Sequence, residues 1–220
     1  MNILSLEGSQ QRTIGNIASL QAQAVPDIKA IVTETESYTY KEMNEKANAY
    51  AAGFSALGVG RGDTVNIFME SCPEFIFVVY GLSKLGAIWV PVNTDYRGEW
   101  LSMSFEDSLA KTLVTDSHYL EKVEELASVN FSTVIVKGDG KSDKLHGVKT
   151  LAFDVLENNA SEEHGNSAIS YGDTNAVTWT SGTTGRSKGV MISHNNWIIS
   201  AESSQRTSVF REGDVVYNCL

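Results

Sequence analysis

The 220 residues predict an α/β fold, with largely parallel sheets flanked by helices. Short strand-like runs alternate with helical patterns along most of the chain, an order that builds βαβ units around a sheet covered on both faces. One run, Ala87-Ile-Trp-Val90, is apolar without a break, as in a strand buried on both sides. A third observation marks where scaffold gives way to something else. Thr180-Ser-Gly-Thr-Thr-Gly-Arg-Ser-Lys-Gly189 holds three glycines, five hydroxyls and two cations, with no acid and no large apolar side chain.

Residues 14–24 predict a first helix, with Ile14, Ile17, Ala18 and Leu20 as its apolar stripe and Pro26 stopping it. Residues 30–33 read as a short strand, and 34–36 as a turn into a second piece near Tyr38. The next helix carries the clearest start signal. Thr39 and Glu42 form a T-x-x-E pair, in which each side chain satisfies an otherwise orphaned backbone N–H. Met43, Ala47, Tyr50, Ala51, Phe54 and Leu57 then recur at three- and four-residue steps, and Gly58 supplies a left-handed ending.

The turn Val59-Gly-Arg-Gly-Asp63 leads into a strand at 64–69. Pro73 opens a helix running to about residue 85, at a position where a missing N–H costs nothing. Gly86 releases the chain into the apolar strand 87–90, and Pro91 marks its end. A helix at 98–108, a strand at 112–115, a helix at 118–127 and a strand at 133–136 continue the alternation. Residues 137–173 turn polar around one apolar piece, 148–156, and predict a surface connection open to proteolysis. A strand at 176–179, the glycine-hydroxyl loop, a strand at 189–192, a helix at 194–205 capped by Ser193, and a last strand at 214–217 follow. The chain is therefore expected to divide into an N-terminal α/β portion (1–136), a polar connecting segment (137–173) and the start of a further α/β portion bearing the loop (174–220).

Composition narrows the function. The net charge of −10, with no compensating basic cluster, argues against a nucleic-acid partner and reads as a solvated acidic surface. Cys72 and Cys219 lie far apart and outside any CxxC pair, so reduced thiols and a cytoplasmic location are expected. His118, His146, His164 and His194 lack ligand spacing, so no metal site built from protein side chains is expected. Residues 1–11 show neither a basic start nor an apolar core. The apolar run 75–82 is far short of the ~20 residues a membrane span needs, so a buried helix is expected there and no transmembrane segment.

The loop suits a polyanion. Its glycines let backbone N–H groups converge, and each such hydrogen bond to a charged partner is worth about 1.5–3 kcal/mol. A lysine ammonium beside a phosphate adds about 4 kcal/mol at an effective dielectric of about 20. A flexible Gly/Ser/Thr surface loop is the bland alternative. A Walker A loop fails on spacing, because the second glycine would fall at Ser187 or at Val190. It fails on context as well, because a strand follows where a helix should. Gly182 and Gly185 match only the last two glycines of a dinucleotide fingerprint.

The stretch from Thr180 to Gly189 resembles the phosphate-loop signature of the adenylate-forming superfamily, which holds acyl-CoA synthetases, peptide-synthetase adenylation domains and beetle luciferases. Tyr40-Lys-Glu-Met-Asn-Glu-Lys-Ala-Asn48, Gly58-Val-Gly-Arg-Gly-Asp63, Lys84-Leu-Gly-Ala87, Val90-Pro-Val-Asn93 and Ser193-His-Asn-Asn196 resemble it too, in the expected order over roughly 14–220. Ser187 stands where many members have proline. The resemblance implies the N-terminal portion of the adenylate-forming enzyme fold, truncated, since the family's later motifs are not found here.

By position, Thr180, Ser181, Gly182, Thr183, Thr184 and Gly185 would wrap the β- and γ-phosphates of ATP, and Lys188 would neutralise departing pyrophosphate. No catalytic acid, base or nucleophile is identified. Arg186 is expected to stay solvated, His194 to serve the helix start, Trp179 and Val177 to be core, and Glu106 and Asp107 to be solvated charges. The implied chemistry joins a small carboxylic acid to ATP as an acyl-adenylate and then to a thiol, commonly coenzyme A, with Mg²⁺ held by residues beyond this chain. Asn93-Thr-Asp-Tyr-Arg-Gly-Glu-Trp-Leu101 looks more like the acyl-CoA synthetases. An amino- or aryl-acid adenylation domain serving a carrier protein remains open, as does a non-catalytic nucleotide- or partner-binding protein. The 220 residues alone are expected to be inactive and to self-associate through an unfinished sheet.

Overall fold

A computed structural model describes residues 12–127, 129–139, 144–160, 162–164, 168–180, 187–207 and 213–217. Helix α1 (Ile14–Ala24) begins where the Thr13 hydroxyl accepts the Asn16 N–H. Strands β1 (Lys29–Val32) and β2 (Ser37–Thr39) pair as a small antiparallel ribbon. Helix α2 (Tyr40–Ala56) has its full capping box: Glu42 N–H donates to Thr39 Oγ1 at 3.2 Å, and Thr39 N–H donates to Glu42 Oε2 at 2.8 Å. Gly58 follows with φ +84°. Strand β3 (Thr64–Phe68) leads to α3 (Pro73–Leu85), which ends on a left-handed Gly86, and then to β4 (Ile88–Pro91).

The alternation continues through α4 (Gly98–Ser108), β5 (Thr112–Asp116), α5 (Leu120–Glu124) and β6 (Thr133–Lys137). The short strand β7 (Lys144–Leu145), β8 (Val148–Ala152) and the single turn α6 (Asp154–Glu157) come next. Strands β9 (Thr174–Trp179) and β10 (Gly189–Ser193) and helix α7 (His194–Thr207) complete the elements.

Eight strands form one sheet in the order β10-β9-β4-β3-β5-β6-β8-β7. Pairing is parallel from β9 across to β8 and antiparallel at β10/β9 and β7/β8. Side-chain alternation along β3 feeds a core on each face. Val65 and Ile67 join Ala18, Tyr50, Phe54 and Phe77 beneath α1, α2 and α3. Phe68 joins Leu101, Phe105, Leu113 and Val123 beneath α4 and α5. Close approach of α2 and α3 requires glycine at 81, where a Cβ would meet Tyr50 Cβ at 3.0 Å and Ala47 O at 3.1 Å.

An ion pair with a buried lysine ties the polar segment to this helical layer. Lys84 Nζ sits 2.7 Å from Glu163 Oε1 and donates to Ser19 Oγ at 2.6 Å, while Asn44 Nδ2 donates to Glu163 Oε2 at 3.0 Å. Burial opposes the Glu163 carboxylate, but the hydrogen bonds from Lys84, Ser19 and Asn44 outweigh it and lower its pKa to about 2. Burial lowers the Lys84 pKa against the pull of Glu163.

Three expectations are corrected. The helix predicted over 118–127 is a 3₁₀ turn at Ser117–Tyr119 followed by the five-residue α5. Adjacent carboxylates at Glu124 and Glu125 meet the negative end of the helix dipole and oppose further turns. The apolar piece 148–156, expected inside a surface connection, instead supplies β8 in the main sheet and α6, whose Leu156 is fully buried. Residues 214–217 form no strand: Val215, Val216 and Tyr217 are exposed, and no described segment pairs with them.

Candidate functional site

Because β9 runs parallel to β4, the loop that follows it projects from the carboxyl edge of the sheet, where open α/β sheets bind ligands. The loop is the tip of the β9–β10 hairpin. Its neck is closed by Thr180, whose N–H donates to Lys188 O at 3.0 Å and whose hydroxyl donates to the same oxygen at 3.3 Å. Just below, Gly189 pairs with Trp179. A Cβ at 189 would meet Val177 Cγ1 at 2.9 Å and the Trp179 ring at 3.4 Å, so glycine lets the indole lie across the hairpin. Val177 and Trp179 are half-buried, and the indole N–H of Trp179 has no partner among the described residues.

Thr180 and Lys188 are both exposed, and among the described residues no carboxylate pairs with Lys188. Ser187 is buried in a small recess shared with Trp179 and with Trp100, Met103, Ser104 and Asp107 of α4. Ser181, Gly182, Thr183, Thr184, Gly185 and Arg186 lie outside the described residues. The structure thus brings Thr180 and Lys188 together across the neck.

The middle of the carboxyl edge has the opposite chemistry. Between β3 and β5, buried Asp116 accepts the Glu70 N–H at 2.7 Å, and Glu70 accepts the Tyr119 hydroxyl and lies 3.6 Å from His118 Nε2. The nearby cation Lys137 is engaged by Glu74 at 3.0 Å. Cys72 beside it has its thiol pKa pushed up to about 11, chiefly by burial. In this acidic crevice Lys137 is paired with Glu74 and Lys122 donates to the Thr94 carbonyl, so a polyanion is disfavoured, whereas Lys188 at the hairpin neck has no paired carboxylate among the described residues.

A cavity of about 550 Å³ lies on the face between α3 and α7, lined by Phe75, Val79, Tyr80, Trp89, Asn175 and Trp197. It is apolar and sits at the amino end of β9, away from the loop.

The base of the hairpin was not legible as a unit in the sequence. Asp173 Oδ2 accepts from Arg61 Nη2 at 2.9 Å, Arg61 Nε at 3.2 Å and the Ser170 N–H at 3.1 Å. Burial opposes this carboxylate, but the Ser170 N–H and Arg61 hold its pKa below the ordinary value. Asp173 O accepts the His194 N–H at 3.2 Å. His194, expected at the helix start, is fully buried there, and its Nδ1 accepts the Ile14 N–H at 3.1 Å. Burial drives its pKa down to about 4, with Asp173 pulling the other way. An imidazole accepting at Nδ1 is neutral, so His194 is a buried clamp without a nucleophile to activate. Ser193 caps α7 through Asn196, whose N–H donates to Ser193 Oγ at 3.3 Å. Glu106 and Asp107 are exposed on α4.

Among the described residues no group of three or more His, Cys, Asp or Glu could hold a metal ion, so no Mg²⁺ ligand is assigned to them. No described helix is long and apolar enough to cross a membrane.

The profile of the AMP-binding enzyme family matches residues 19–220. The crotonobetaine/carnitine–CoA ligase of Salmonella paratyphi B is 32% identical over 185 residues, covering 81% of this chain and 35% of that protein. The 4-coumarate–CoA ligase 3 of Oryza sativa subsp. japonica is 32% identical over 189 residues, covering 84% and 33%. An anthranilate CoA ligase solved in complex with anthranoyl-AMP shares the fold with a TM-score of 0.80 at 21% identity, over 92% of this chain and 38% of that one. The chain spans about a third of the length of the curated relatives it matches.

Proposed function

The chain belongs to the AMP-binding enzyme family, and from that premise we propose that it carries the pyrophosphate-binding side of an ATP-dependent carboxylate–thiol ligase. The observation that carries this reading is the glycine-hydroxyl loop, which follows β9 at the carboxyl edge of a parallel sheet, with exposed Lys188 at its neck and no described carboxylate paired with it.

In the reaction, a carboxylate oxygen attacks the α-phosphorus of ATP and pyrophosphate leaves, giving an acyl-adenylate. The thiol of coenzyme A then displaces AMP to give the thioester. Charge grows on the leaving pyrophosphate, so fixed donors there stabilise the transition state more than the ground state. Ser181, Gly182, Thr183, Thr184 and Gly185 provide backbone and hydroxyl donors, and Lys188 provides the cation. Thr180 holds the neck closed, so its contribution is to keep Lys188 and the tip in register. Proton transfer, adenine recognition and Mg²⁺ binding fall to residues outside this set, and the 220 residues alone are expected to bind ATP weakly and to turn nothing over.

Relatives that act on carnitine-type and on coumarate-type acids match at the same identity, so the acid is open to direct assay. The test is ATP–pyrophosphate exchange by the full-length protein across a panel of carnitine-like, fatty, aryl and amino acids. Exchange that depends on one of the first three classes, with thioester formed on adding coenzyme A, supports the proposal. Exchange with amino or aryl acids but no thioester with coenzyme A would favour a carrier-protein acceptor. No exchange with any acid, despite tight nucleotide binding, would leave a binding protein and overturn the ligase.

A further inference from the structure

The loop-bearing hairpin is held to the sheet unevenly. Strand β3 registers on β4 from Thr64/Ile88 to Ile67/Pro91, and on β5 from Val65/Thr112 to Phe68/Thr115. The register between β9 and β4 is the pair Trp89/Ala176. Contacts that fix the hairpin gather at its base. Asn175 accepts the Trp89 indole N–H at 3.2 Å, and Trp89 stacks on Trp197 with centroids 5.6 Å apart. Arg61 engages Asp173 from the turn before β3, the Tyr171 carbonyl accepts the Asn195 N–H at 2.9 Å, and His194 receives the first N–H of α1.

We propose that Asp173 and His194 are positioning residues for the phosphate loop: together they pin the base of the β9–β10 hairpin to the Arg61 turn and to the start of α1, and so set where the tip stands. The inference rests on the phosphate-binding reading of that tip. Asp173 works through both of its ends. Its carboxylate fixes β9 to the Arg61 turn, while its carbonyl accepts from His194 and joins β9 to the strand returning from the loop. His194 extends the same path to α1, an element 180 positions away in sequence. The lever is long. Seven residue steps separate Asp173 from Thr180, about 23 Å at ~3.3 Å per residue, so a tilt of about 5° at the base displaces the tip by roughly 2 Å. A misplacement of about 1 Å in a preorganised site can cost on the order of 100-fold in rate.

The experiment compares the protein with its Asp173→Asn, His194→Leu and His194→Asn variants by hydrogen exchange and by binding of inorganic pyrophosphate. Asparagine at 194 can present Oδ1 where Nδ1 accepts the Ile14 N–H, whereas leucine fills the space without an acceptor. Weakening the charged Asp173–Arg61 contact, or removing the acceptor of the Ile14 N–H, should speed exchange across residues 174–193 by up to about tenfold in Asp173→Asn and His194→Leu. Exchange in β3, β5 and β6 should stay within about twofold, because the opening is local. Both variants should weaken pyrophosphate binding, and His194→Asn should recover most of it. Exchange rising equally across the whole sheet, or a loosened hairpin with undiminished pyrophosphate affinity, would overturn the proposal. Failure of the unsubstituted protein to bind pyrophosphate would strike the reading of the loop instead, and the exchange pattern would still decide whether the pin exists.

Discussion

The centre of the sheet and its β9–β10 end are built on different terms. In the block β3-β5-β6 the strands register over most of their length, every residue of β5 is buried, and side chains reach a core on each face. At the hairpin, β10 exposes Val190 and Met191 on consecutive positions, so neither of its faces is covered there. The block is stabilised by apolar burial and would tolerate little change. The hairpin joins the sheet at the Trp89/Ala176 pair, through polar contacts at its base and through the recess where Ser187 meets α4. On the proposed reading, a rigid sheet supports the segment that would meet phosphate, an arrangement common to binding loops carried by a rigid scaffold.

Substitutions that remove volume give the largest expected contrast. Leu113→Ala in β5 should cost about 2–5 kcal/mol in urea denaturation, whereas Met191→Ala in β10 should stay within about 0.5 kcal/mol. Equal losses at the two positions would erase the distinction.

Acid separates His194 at the hairpin base from Glu163 in the helical layer by pH window. The folded-state pKa of His194 is lowered from its ordinary 6.5 to about 4, so between those values the unfolded chain binds a proton that the folded chain refuses. Stability present above pH 6.5 should be lost as pH falls toward 4, by up to roughly 3 kcal/mol, and His194→Asn should flatten that slope. Glu163 acts in a lower window: its carboxyl is lowered from 4.5 to about 2, so its contribution holds above 4.5 and is lost as pH falls through 2. Urea midpoints measured from pH 8 to pH 3 check both, and a flat profile between 6.5 and 4 would contradict the buried neutral imidazole.

The ion pair in the helical layer makes an asymmetric prediction of intermediate size. The Lys84 side chain is 1% exposed and that of Glu163 is 46% exposed. Glu163→Gln strands a buried ammonium and should cost about 2 kcal/mol, below the 3–5 kcal/mol of a fully buried pair because water reaches one partner. Lys84→Met leaves a carboxylate that can rehydrate and should cost less. The reverse ranking in thermal denaturation would show that the Lys84 ammonium is not buried as described. A smaller loss belongs to Thr39→Ala, about 1 kcal/mol from removing the α2 cap, with no change in hairpin exchange.

Local features were legible in the sequence and distant ones were not. Thr39 with Glu42, Pro73 at a helix start and Gly86 at its end all act within a turn of themselves, and each appears where spacing placed it. The helix after β5 ran short because Glu124 and Glu125 oppose the dipole, a signal that lay in the sequence unused. The strand expected over 214–217 had the right composition, but a strand also needs a neighbour, which composition cannot supply. The ordered motifs narrowed the family, which the profile match bears out, while the polyanion suggested by the loop's glycines and hydroxyls stays a proposal for assay. The contacts that hold the loop did not announce themselves: Arg61 and Asp173 are 112 positions apart, Lys84 and Glu163 79, and Ile14 and His194 180. Such pairs form through the topology of the sheet, and a single sequence carries no periodicity that marks them.

The central claim is that the hairpin tip stabilises departing pyrophosphate, and Lys188→Ala tests it most directly. Lys188 is exposed and unpaired among the described residues, so its removal should leave the unfolding midpoint unchanged. ATP–pyrophosphate exchange by the full-length protein should fall on the order of 100-fold, the usual consequence of losing one preorganised charge-stabilising group. Exchange retained within about twofold of the unsubstituted protein would contradict the account.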